Sequence, residues 1–79
     1  FDCTDFTLSL VGNLTKEGYD ARCIIGYKKQ NPKQIFHAWT EVNLTGEIIW
    51  IESTTGEIVT EENKGYYKPL KGYKKYQCW

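Results

Sequence analysis

A chain of 79 residues, 41% hydrophobic and 15% aromatic, has the composition of one small globular domain rather than a disordered segment, with a modest core and marginal stability. Ten Lys+Arg balance ten Asp+Glu, so no global field draws it to nucleic acid or to an anionic membrane. No apolar run approaches the roughly 20 residues of a membrane helix, and a single histidine without a Cys-x-x-Cys pair argues against a structural zinc site.

Residues 2–16 are expected to form a helix. Cys3, Phe6, Leu10, Val11 and Leu14 recur at helical spacing and give it one apolar face. Asp2 suits the N-cap, Asp5 the acidic first turn, and Gly18 the C-terminal stop. "RCIIGYK" (22–28) is β-prone and predicts a strand, followed by a polar loop, "KQNPKQ" (29–34). His37 to Leu44 alternates and predicts a second strand. Thr45-Gly46 is a short turn, and "EIIWIES" (47–53) a third strand, so the last two form an antiparallel hairpin. "TTGE" (54–57) predicts a turn, and "IVT" a further short strand. The fold class is α+β: an N-terminal helix carrying Cys3, packed on a small antiparallel sheet. Residues 1–62 would form this core. Residues 63–79 carry five lysines, no acid and interleaved aromatics, and suit a tail or final edge strand.

Three residues form a chemical set. A cysteine in the first turn of a helix is reactive because free backbone N–H groups favour its thiolate. Cys3 has that place, and the same N–H groups could hold an oxyanion. His37, the sole histidine, is the side chain suited to serve as its base near neutrality. A third group should orient the imidazole. If the hairpin turns at Thr45-Gly46, paired residues have numbers summing to about 91, so His37 faces Ser53 or Thr54, with Glu52 beside it. Glu41 has the same facing parity as His37 and is a rival, with Asp5 and Glu47 as further carboxylates. Trp39 and Trp50 share parity with His37 and Glu52, and suit either the core or a substrate-binding wall. The odd cysteine count leaves pairing open: Cys23 with Cys78 would spare Cys3, whereas Cys3 could itself pair with either.

"DCTDF", "GYDARCIIGY", "HAWTEV" and "WIESTTG", in this order over residues 2–56, resemble the transglutaminase-like superfamily of papain-type cysteine enzymes. The resemblance implies Cys3 as nucleophile, His37 as base and Glu52 as the orienting acid, where that family usually has aspartate. It implies acyl transfer on a peptide or protein amide substrate through a thioester, with no cofactor. The alternative is a non-catalytic binding module on the same fold, with the basic aromatic tail as its contact surface. A second copy of the chain is left open as a partner.

Overall fold

The structure, a computed structural model, describes residues 3–70, with Cys3 as backbone alone. The expected N-cap Asp2, residues 71–79 of the expected tail, and Cys78 with them lie outside the described residues.

The chain runs α1 (Cys3–Lys16), β1 (Asp20–Gln30), β2 (Lys33–Leu44), β3 (Glu47–Glu52), β4 (Glu57–Ile58), α2 (Glu61–Lys64) and β5 (Tyr67–Pro69). The strands form one sheet in the order β4-β3-β2-β1-β5, with every neighbour pair antiparallel. The fold is therefore α+β.

α1 stops as its sequence predicts. Gly18 takes a positive φ of 94°, and the Tyr19 N–H turns back to the Leu14 carbonyl at 3.0 Å, closing the helix end. Its buried stripe differs from expectation. Phe6 is 42% exposed, and Thr7 is the fully buried residue. The reason is geometric: Thr7 stands four residues after Cys3 and four before Val11, on one helical stripe, while Phe6 falls on its rim.

The expected loop at 29–34 is instead a continuation of two strands. β1 and β2 pair as far as Gln30 and Lys33, joined by Asn31-Pro32 with a cis peptide. These residues are polar because the hairpin tip is exposed, with backbone pairing holding its strands. The β2–β3 hairpin has the expected register, with Thr40 opposite Ile51 and Leu44 opposite Glu47. Its turn places Thr45 (φ 47°) and Gly46 (φ 94°) in the left-handed region, a pairing that matches the twist of the flanking strands.

Strand parity divides the core in two. Cys23, Ile25 and Ala38 meet Val11 of α1 on one face. Ile24, Trp39, Val59 and Tyr67, with Trp50 against them, fill the other. Residues 61–64, where no helix was expected, form the short α2, capped by the Thr60 side chain, which accepts from the Asn63 N–H. The chain then returns across the sheet as β5 at the far edge, beside β1. Among the described residues, no helix is long and apolar enough to cross a membrane.

Candidate active site

His37 sits on β2 opposite Gly26 of β1. Its ring lies on the face of the second core cluster, stacked on Trp39 with 6.1 Å between centroids. β3 ends at Glu52, and there the carboxylate meets the ring: His37 Nε2 lies 2.7 Å from Glu52 Oε1. Both side chains are about nine-tenths buried. The other oxygen, Oε2, accepts from the Tyr67 hydroxyl at 2.6 Å and from Lys28 Nζ at 3.2 Å.

These donors determine the charge of Glu52. Burial raises its pKa, but hydrogen bonds from His37 and Tyr67, the nearby His37 charge and the Lys28 ammonium outweigh burial and lower it from 4.5 to about 2. Tyr67 moves the opposite way. Burial, and the carboxylate it donates to, push its hydroxyl well above the usual tyrosine range. An ionised carboxylate only accepts hydrogen bonds, so Nε2 of His37 carries the N–H. In the neutral imidazole this leaves the lone pair on Nδ1, the atom able to take up a proton.

A second polar network fixes the helix against this end of the sheet. Thr7 Oγ1 donates to Ser53 Oγ at 2.7 Å, and Ser53 Oγ lies 2.9 Å from Thr40 Oγ1. All three residues are buried. Ser53 directly follows Glu52, so one stretch of chain binds the helix with one residue and the histidine with the next. Cys3 opens α1 one turn before Thr7, on the same stripe. The pairing of β2 with β3 ends at Thr40 and Ile51, so the sheet is open on that side by the time it reaches His37.

The other expected residues fall as follows. Glu41 is occupied elsewhere, accepting from Trp50 Nε1 at 3.2 Å. Asp5 and Glu47 are exposed. Trp39 is 0% exposed and belongs to the core behind His37, so it does not form a substrate-binding wall; its Nε1 has no hydrogen-bond partner among the described residues. Trp50 packs on Trp39 with centroids 5.4 Å apart. Neither tryptophan lines the cleft that opens over the pair, a space of about 450 Å³ bounded by His37, Glu52, Lys28, Tyr67 and the Thr54-Thr55 turn. Cys23 is disulfide-bonded, and its partner lies outside the described side chains. Among the described residues, no group of three or more His, Cys, Asp or Glu could hold a metal.

The sequence pointed to Ser53 only as a register partner of His37, and it did not mark Tyr67, Lys28 or Thr7. Thr7 had a signal, its spacing of four from Cys3. Tyr67 had none, because its place depends on β5 crossing to the far edge of the sheet.

No protein-family model matches this chain, and no curated protein or solved structure matches it either.

Proposed function

We propose that this domain performs cysteine-dependent acyl transfer on amide substrates, with Cys3 as nucleophile, His37 as base and Glu52 as the group that orients it, on a transglutaminase-like core. The observation that carries this reading is the 2.7 Å bond between His37 Nε2 and Glu52, which leaves Nδ1 as the acceptor. The Thr7–Ser53–Thr40 network adds support by holding the start of α1 at the same end of the sheet.

In this reading Cys3 Sγ attacks the amide carbonyl carbon while His37 Nδ1 takes the thiol proton. Backbone N–H groups at the start of α1 hold the oxyanion. The C–N bond then breaks, and His37 returns the proton to the leaving amine or ammonia. A thioester on Cys3 remains. Water attacks it, again giving a proton to Nδ1, and releases a carboxylic acid and the free thiol. An amine in place of water gives a cross-link. Hydrolysis is the outcome we favour. Glu52 keeps the N–H on Nε2 and stabilises the imidazolium.

The chemistry requires a free Cys3 thiol, and so requires Cys23 to pair with Cys78.

The test is to trap the acyl-enzyme. The protein is incubated with a pool of peptide amides, quenched in acid, digested and read by mass spectrometry. A thioester adduct on the Cys3 peptide, absent from Cys3→Ala along with substrate turnover, is the expected result. Turnover that survives in Cys3→Ala would end this reading, and a peptide bound without any adduct would favour the binding module instead.

A further inference from the structure

We propose that Tyr67 and Lys28 are positioning residues: they clamp one oxygen of Glu52 so that the other is held on His37. The inference rests on the acyl-transfer reading for its chemical purpose, though not for its geometry.

Four strands converge on one carboxylate. β3 supplies Glu52, β2 supplies His37 to Oε1, and β1 and β5 supply Lys28 and Tyr67 to Oε2. Glutamate has one more rotatable bond than the aspartate of the family this sequence resembles, so its carboxylate has more freedom to lose before it can orient a ring. Two donors on Oε2 remove that freedom. The 2.6 Å bond from Tyr67 has the short length of a hydroxyl donating to a charged oxygen.

The clamp is itself held. Tyr67 is 8% exposed, and its ring meets Trp39 edge-on with centroids 5.1 Å apart. Lys28 Nζ lies 5.2 Å from the centre of the Tyr67 ring, which links the two donors to each other. Glu57 of β4 is paired with Glu52 in the sheet and borders the same cleft, but it is exposed to solvent, so the clamp on Oε2 comes from Tyr67 and Lys28.

This gives the segment after α2 a role in the site. Composition marks it as a tail or final edge strand; β5 is an edge strand, and its Tyr67 reaches the carboxylate on which His37 depends.

The test uses the full chain and reads His37 directly. The Nε2–H proton of His37 is observed by NMR in the wild type, in Tyr67→Phe, in Lys28→Met and in the double variant. Phenylalanine keeps the ring packing, and methionine keeps the stem over that ring. Thermal melts confirm that each variant is folded. The wild type should show a downfield, slowly exchanging Nε2–H signal. Each single variant should broaden it and the double variant should lose it, with Cys3 alkylation by iodoacetamide slowed roughly tenfold in Tyr67→Phe. If Tyr67→Phe does not fold, Lys28→Met alone must weaken the signal for the clamp to stand. An unchanged signal in a folded double variant overturns it. If the signal responds as expected while wild-type Cys3 alkylates no faster than a free thiol, the clamp stands and the acyl-transfer reading falls.

Discussion

Glu52→Gln is expected to leave a folded domain whose histidine can no longer act as a base. Lys28 can only donate, and Tyr67 donates to the same oxygen, so the glutamine carbonyl should stay with them. Its amide NH₂ then faces His37 Nε2. Nε2 must become an acceptor, the ring proton moves to Nδ1, and the lone pair needed for proton transfer is gone. Reactivity of Cys3 should fall on the order of a thousandfold, measured as its alkylation rate, with the tautomer change read from the ring nitrogen shifts of His37. The same variant tests the electrostatics. The carboxyl titrates at about 2 in the folded protein against an ordinary 4.5, so between these values the unfolded chain binds the proton more readily. The resulting stabilisation is fully present above about pH 4.5 and is lost as pH falls through about 2. It amounts to about 3 kcal/mol. Denaturant melts between pH 5 and 2 should show this loss in the wild type and a much shallower one in Glu52→Gln.

Gly26→Ala should be among the most damaging single-methyl additions in the chain. Gly26 pairs with Pro69, and here β5 approaches β1 so closely that an added Cβ would overlap the Lys68 carbonyl oxygen and come within 2.8 Å of Pro69 Cα. Both are backbone atoms, so no side chain can rotate away. β5 must move outward and take Tyr67 with it. That loses the hydroxyl bond to Glu52 and the ring packing on Trp39, at a cost of about 3 kcal/mol. The urea midpoint should drop with an unchanged slope, and the His37 Nε2–H signal should broaden, although the added methyl itself meets the backbone of Lys68 and Pro69 rather than the His37 ring. A midpoint within error of the wild type would show that β5 is not seated as described.

The elements that were legible in the sequence are those fixed by local chemistry. Thr45-Gly46 fixes the hairpin turn, and its register alone places Glu52 beside His37. Gly18 fixes the end of α1. What could not be read depends on contacts distant in the chain or on polar residues that are buried. Thr7 is polar, so a search for an apolar stripe preferred Phe6. Its burial becomes intelligible only when Ser53, 46 residues away, is seen to bond it. Lys29, Gln30, Lys33 and Gln34 have the composition of a loop, and their pairing is a backbone property that side-chain pattern does not report. Tyr67 sits among lysines, and its burial follows from β5 joining β1 at the far edge rather than β3 or β4, its nearer strands in sequence.

The most direct test of the central claim, that His37 activates Cys3, is alkylation of the native protein with iodoacetamide from about pH 4 to 10, mapped by cysteine under non-reducing conditions and repeated in His37→Ala. Cys3 is expected to be a free thiol that reacts with an apparent pKa well below the roughly 8.5 of an unperturbed cysteine. In His37→Ala most of that advantage should disappear. A Cys3 found in a disulfide with Cys23, or one that titrates near 8.5 with or without His37, would show that His37 does not activate it.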